Sequence, residues 1–355
     1  MAKYIQEQNP VTTAYVASSA ATPLLIGSKP FWITSLVLGL ELAKAGAATT
    51  ATQDYPWRTV TATTLRGGGR PYINLGAPDM RPLYWATRLR TKGSYKTPDM
   101  QSGTQTIYAI LPVIFGVFPL KPNDDMNWFD TTCGLQPDMD LTLGLTWAAN
   151  TAIASATNTV GTGTLMRVTQ AGVVLEGGDA PIKYYPTWFT QQFSPGSTAA
   201  GLSFEAKMTT GYWYRRSTVM IVNGTGTADV RNSGYGTTGC SEIALETKDG
   251  RRPLNMKFWD FAHSRQRNFH IADDNGDVAG ATLAGGASSS AVYYNPGVGD
   301  VDFAAVANTA DPTKADPQYG VNLVGKSDGT LKFKFTVDTA TNTTINFLNE
   351  AYLPY

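Results

Sequence analysis

Apolar residues recur at every second position in the clearest stretches of this chain, and that spacing restricts its fold more than any other feature. Residues 331–337 read LKFKFTV, with Leu331, Phe333, Phe335 and Val337 alternating with Lys332, Lys334 and Thr336. Residues 141–147 read LTLGLTW, with Leu141, Leu143, Leu145 and Trp147 on one parity and Thr142, Gly144 and Thr146 on the other. Side chains of an extended chain point alternately to opposite sides, so each stretch predicts a strand with one apolar and one polar face. Sheets built from such strands cover a core on one side only and must pack in pairs.

Other stretches read as strands with less contrast. FWITSLVLGLEL (31–42) is apolar on both parities, which predicts a strand covered on two sides. LYWATRLR (83–90) reads as a strand, and IYAILPVIFGVF (107–118) as a strand pair or a bulged strand around its proline. LMRVTQAGVVLEGG (165–178) reads as two short strands. In the later part of the chain, LSFEAKM (202–208) and YWYRRSTVMIVNG (212–224) follow, the arginines of the second facing solvent or a neighbouring subunit. RGGGR (66–70) lacks the Lys-Ser/Thr of a phosphate loop and reads as a loop tip, and NGTGTAD (223–229) as a hairpin turn. Helix signals are confined to 241–248 and 257–266. The regular amphipathic helices of a doubly wound α/β fold are missing, so the pattern predicts an all-β chain.

At 355 residues the chain is long enough for two domains. The pattern weakens around GDAPIKYYPTWFTQQFSPGSTAAG and restarts with LSFEAKM, which puts the division there. The expected units are an N-terminal arm over 1–30, polar and spaced by prolines, a first half over 31–195 and a second over 196–355. Charged residues make up only 16% against the usual ~25%, which suits a surface largely covered by neighbours. Lys plus Arg equals Asp plus Glu at 28 each, so no specific nucleic-acid binding is expected. The N-terminus shows no charged segment followed by an apolar one, and no apolar run reaches ~18 residues. The expectation is synthesis in a cytoplasm without a signal peptide.

Side chains able to do chemistry are sparse. His263 and His270 lie in AHSRQRNFH with no nucleophile motif to serve, and read as loop or interface residues. Cys133 and Cys240 match no metal or disulfide spacing and read as small core residues. DDNGD places Asp273, Asn275 and Asp277 at alternate positions, as calcium loops do, but the glycine and the terminal glutamate of an EF-hand are out of place. A turn is the simpler reading, and the three stay as a structural-calcium candidate. Glu205, Glu242 and Glu246 are the carboxylates a β-sandwich glycosidase could draw on, with nothing to select a pair. Tyr184, Tyr185 and Trp188 could stack sugars. No catalytic residue and no cofactor are expected, and the chain reads as a non-enzyme.

Three stretches carry a resemblance: FWITSLVLGLEL after a polar arm, PLNMKFWDFAHSRQRNFHIADDN late in the second half, and the closing LKFKFTVDTATNTTINFLNEAYLPY. Together with the two strand-rich halves they resemble the double jelly-roll major capsid proteins of tailless icosahedral viruses, including phages with an internal membrane. The resemblance implies two consecutive eight-stranded jelly rolls with long loops and few short helices. It also implies a homotrimer of pseudo-hexagonal outline that tiles an icosahedral shell, with the protein located in the virion. Its partners would be neighbouring capsomers, penton and minor capsid proteins, and an internal membrane reached through the N-terminal arm. Loops 44–70, 148–164 and 281–325 would be towers or clasps. The rival reading is a two-domain β-sandwich receptor- or glycan-binding spike protein.

Overall fold

A computed structural model of the chain describes residues 3–6, 11–26, 31–47, 55–76, 80–88, 102–115, 134–135, 139–153, 159–174, 184–195, 201–223, 230–231, 240–258, 260–262, 297–303, 320–337 and 343–354. The chain opens with β1 (Lys3–Gln6), β2 (Val11–Ala14), β3 (Leu24–Leu25) and the long β4 (Trp32–Ala45). A 3-10 helix, η1 (Tyr55–Thr59), leads into β5 (Val60–Gly67) and β6 (Arg70–Leu75), and helix α1 (Arg81–Arg88) follows. Next come β7 (Gln105–Ile114), β8 (Leu141–Trp147), β9 (Thr159–Val160), β10 (Leu165–Val174) and β11 (Tyr184–Phe193). The remainder is β12 (Leu202–Lys207), β13 (Trp213–Asn223), β14 (Val230–Arg231), β15 (Cys240–Thr247), β16 (Leu254–Lys257), β17 (Val298–Asp302), β18 (Val321–Asn322), β19 (Leu331–Val337) and β20 (Thr343–Pro354).

These strands form three sheets. A six-stranded sheet runs β1-β10-β4-β7, with β2 also on β10 and β9 also on β4. A ten-stranded sheet runs β14-β13-β20-β11-β6-β5-β8-β3, with β17 and β18 also on β13. A four-stranded sheet runs β12-β19-β15-β16. The six-stranded sheet and the β6-β5-β8-β3 wing enclose one apolar core, which includes Leu36, Leu38, Leu143 and Trp147. The four-stranded sheet and the β13-β20-β11 wing enclose a second, which includes Phe333, Phe335 and Phe347. The result is two β-sandwiches sharing a sheet, with β11 antiparallel to β20 on one side and parallel to β6 on the other.

The strands at this seam are buried on both faces. On β20 Leu348 enters the first core and Phe347 the second. On β13 Met220 and Val222 enter the first, while Val219 and Ile221 enter the second. Trp188 and Phe189 of β11 divide in the same way. That explains the unbroken apolar run Val219–Val222, which an outward-facing strand would interrupt with polar residues.

Both alternating stretches form the expected strands. Leu331, Phe333, Phe335 and Val337 are buried on β19, and Leu141, Leu143, Leu145 and Trp147 on β8. Ile345, Phe347 and Leu348 return into a sheet, across the sandwich from β19. RGGGR is the tip of the β5–β6 hairpin, where Gly68 and Gly69 take φ of 54° and 79°, values that other residues adopt at a cost.

Several expectations fail for physical reasons. LYWATRLR lies mostly in helix α1, with Tyr84 N–H donating to the Met80 carbonyl at 3.0 Å. Leu83, Tyr84, Trp85 and Ala86 are all buried because α1 is wedged against β7, β13 and β20. Arg81 and Arg88 stand at helical spacing, but two turns are too short for that period to stand out beside the apolar run Leu83–Ala86. Pro82 in its first turn is the signal that favours helix. Residues 240–247 form β15, with Ile243 and Leu245 buried beside β19, where a helix was expected. The second helix signal holds in its described part, since Phe258 and Asp260, Phe261 and Ala262 are helical.

The two short strands expected in 165–178 are one, β10, with a register shift at Ala171/Gly172. Strand β7 runs straight through Pro112, which an edge strand tolerates because it has one hydrogen-bonded neighbour. Strand β4 is covered on one face, not two: Leu36, Leu38, Leu40 and Leu42 are buried, while Ser35, Val37, Gly39 and Glu41 are half-exposed. Within 1–30, β1 and β2 pair with β10 and β3 with β8, and Tyr15, Ala21 and Ile26 enter the first core. That segment therefore straps the first sandwich and contributes to its core, where an arm lying on something outside the core was expected. Loop 44–70 contains η1 and β5, and loop 148–164 contains β9.

Candidate assembly surfaces and a buried charge cluster

The arginines of YWYRRSTVMIVNG do not face solvent. Arg215 and Arg216 are 2% and 6% exposed. β13 is buried on both faces from Tyr214 to Val222, so both consecutive side chains are covered, and its register with β20 slips between Tyr214 and Arg216. Asp300 and Asp302 of β17 and Glu350 of β20 are buried beside them. Arg215 is paired with Asp302, and Arg216 lies 3.9 Å from Asp300 and 3.6 Å from Asp302. In register, Arg216 stands opposite Asp302 on one flank and Glu350 on the other. Burial alone would lower the Arg216 pKa, but Asp300, Asp302 and Glu350 outweigh it and the pKa is raised. For Arg215, burial and the neighbouring Arg216 win over Asp302 and the pKa is lowered. The cluster cross-links three strands of the wing that faces both cores.

The outer face of the four-stranded sheet carries a charge ladder. Lys332 lies 2.9 Å from Glu205 and 3.2 Å from Glu246, and Lys334 lies 3.3 Å and 2.9 Å from the same two. Arg252 reaches Glu246 at 2.8 Å. Hydrogen bonds from Lys334 and Arg252 hold the Glu246 carboxyl down to about 2. A hydrogen bond from Lys332 leads the same effect on Glu205. A glycosidase acid must stay protonated near neutral pH, and these two carboxylates are held as anions. Glu242 accepts from Thr336 on the same face. A cavity of about 300 Å³ opens between β11–β20 and β12–β19, and of these three glutamates only Glu205 lines it.

The outer face of the six-stranded sheet is different. Tyr108 and Ile110 of β7 are 66% and 54% exposed. Opposite them in register stand Glu41 and Gly39 of β4, and beyond Gly39 lies Arg167 of β10. Arg167 donates to Glu41 at 2.8 and 3.2 Å. Among the described outward residues of β4, β7 and β10 these two alone are charged.

The remaining expected sites fare unevenly. Asp273, Asn275 and Asp277, His263, His270 and Cys133 lie outside the described residues. Among the described residues no group of three His, Cys, Asp or Glu could hold a metal. Cys240 is buried in the second core. Trp188 is 1% exposed and packs edge-on to Phe115 at 6.0 Å, so it offers no face to a sugar. Tyr185 stands edge-on to Tyr72 with Arg70 over its ring at 5.0 Å. No helix among the described residues is long and apolar enough to cross a membrane.

Two sandwiches in tandem, joined through a shared sheet with a helix wedged at the seam, make this chain a double jelly roll. Solved structures with the same fold are viral coat proteins. The major capsid protein of STIV, the Sulfolobus Turreted Icosahedral Virus, superposes with a TM-score of 0.68 at 12% identity, covering 99% of this chain and 97% of that one. The PBCV-1 virus capsid gives 0.54 at 13% identity, over 99% and 93% of the two chains. The major capsid protein of bacteriophage PM2 gives 0.50 at 11% identity, over 100% and 98%. No protein-family model and no curated protein sequence matches the chain.

Proposed function

We propose that the chain is a structural major capsid protein whose trimers tile an icosahedral virion shell. The observation that carries this reading is end-to-end correspondence: 99% of the chain matches 97% of the STIV capsid protein in one double jelly-roll superposition. The low charge content and the sheet face whose two charges, Arg167 and Glu41, pair with each other support it, because both suit large contacts between subunits. On this reading the division is an N-terminal strap over 1–30, a first roll over 31–195 and a second over 196–355. The partners are two further copies in the trimer, adjoining capsomers, penton and minor capsid proteins, and an internal membrane beneath the strap. The protein is made in the host cytoplasm and works in the virion. A glycan-binding role loses its aromatic platform with Trp188 buried.

Electron microscopy of the purified protein and of its source particle tests this. Trimers of pseudo-hexagonal outline, and shells tiled by them, are expected. A protein that stays monomeric at all concentrations would refute it.

A further inference from the structure

We infer that the outer face of the six-stranded sheet, centred on Tyr108 and Ile110, is the surface through which one copy of this chain docks on the next. The inference rests on the coat-protein reading and adds the surface that reading lacks.

The face is built flat. Gly39 and Ala43 of β4 and Ala14 of β2 keep its middle and one side low, while Tyr108 and Ile110 stand up along the edge strand. Val37 and Pro112 face each other across β4 and β7, and Leu165 of β10 lies opposite Glu41. The two charges present, Arg167 and Glu41, neutralise each other within the face. A strongly charged partner therefore gains nothing here, whereas a neutral protein meets no electrostatic barrier. This chain is itself neutral, with 28 charges of each sign.

The size also fits. Four strands at ~4.8 Å spacing and eight to ten residues at ~3.3 Å rise span roughly 600 Å². Two partners together would then bury about 1,200 Å², where specific interfaces begin.

The edge adds a second reason. β7 is ten residues long and, among the described residues, is the last strand of its sheet, with Tyr108 and Ile110 along that edge. An open apolar edge draws indiscriminate strand pairing unless something covers it. Pro112 blunts one end of it, but between Thr106 and Pro112 its exposed side chains carry no charge. The partner that is always present at the concentration of a coat protein is another copy. In a closed ring of three the contact is heterologous, so this face on one copy meets a different surface on the next.

The test compares wild type with Tyr108→Lys/Ile110→Lys by sedimentation velocity, with melting temperature and circular dichroism as folding controls. Both side chains point outward, and a lysine at 108 stands opposite Glu41, so the monomer keeps its fold. The expected result is a trimeric wild type and a folded monomeric variant, with the half-assembly concentration raised about a hundredfold or more. A variant that trimerises like wild type overturns the inference and leaves the coat-protein reading standing. A wild type that never associates overturns the coat-protein reading itself. Hydroxyl-radical footprinting of the wild-type protein needs no variant: protection of Tyr108 on assembly is expected, and Tyr108 labelling that is the same in assembled and in diluted, unassembled protein overturns the inference.

Discussion

Arg215 and Arg216 lie where the wing shared by both cores is most deeply covered, and only the acids of β17 and β20 make that tolerable. Forming such a cluster adds little net stability, because desolvation consumes most of the attraction, but breaking it strands a buried charge. Asp302 touches both arginines. Asp302→Ala is therefore expected to cost about 3–5 kcal/mol in urea unfolding. A loss under ~1 kcal/mol would mean that Asp302 does not hold the cluster together. Little of this was legible in the sequence. The two arginines are visible as letters, but their acids in GDVD come over eighty residues later. One signal was there: flanking residues apolar on both parities imply a strand covered on both faces, and so covered arginines.

Glu246 gives a pH dependence with a definite sign. Its folded pKa, about 2, lies below the ordinary glutamate value of 4.5. The folded state therefore binds its proton less readily than the unfolded state. The stabilisation is fully present above pH ~4.5 and is lost as pH falls through about 2. Lys334→Met removes the first of the hydrogen bonds that hold the carboxyl down. The variant's Glu246 carboxyl should titrate at higher pH than wild type, read by carboxyl carbon NMR. An unmoved titration would mean that Arg252 and Lys332 suffice.

Among elements, helix α1 and strand β10 show how tertiary packing decides what local pattern leaves open. The alternating strands β8 and β19 could be read directly because one of their faces reaches solvent or half-exposed ground. Helix α1 could not, because it is only two turns long and its apolar run Leu83–Ala86, buried against β7, β13 and β20, reads as strand. Trp85, at 1% exposure, fills that wedge. Trp85→Ala is expected to cost about 3–5 kcal/mol by cavity formation, measured by chemical denaturation. A cost below ~1 kcal/mol would mean that the seam closes without it. In β10 the register shift depends on Gly172, where an added Cβ would sit 2.0 Å from the Trp32 carbonyl oxygen. Gly172→Ala must displace β4 backbone, and a loss of about 1–3 kcal/mol is expected in the same assay.

At the scale of the whole molecule, tandem halves could be read from length and from the restart of strand pattern after residue 195, but not how the halves join. The join is a set of three strands, β11, β13 and β20, with two inner faces. Leu348, Met220 and Val222 belong to strands of the second sandwich yet bury their side chains in the first core. Val298 does the same from β17. Residues 196–355 alone would uncover all four together with the helix seat on β13 and β20. Exposing four such side chains forfeits about 1.5–3 kcal/mol each, comparable with the whole stability of an ordinary domain. The full chain should therefore melt in a single calorimetric transition, with calorimetric and van't Hoff enthalpies in agreement. The 196–355 fragment should fail to reach a cooperative fold. Two resolved transitions, or a fragment melting within a few degrees of the intact chain, would mean that each sandwich is self-sufficient. A joined pair makes mechanical sense for a shell, since neither half can open while the other holds.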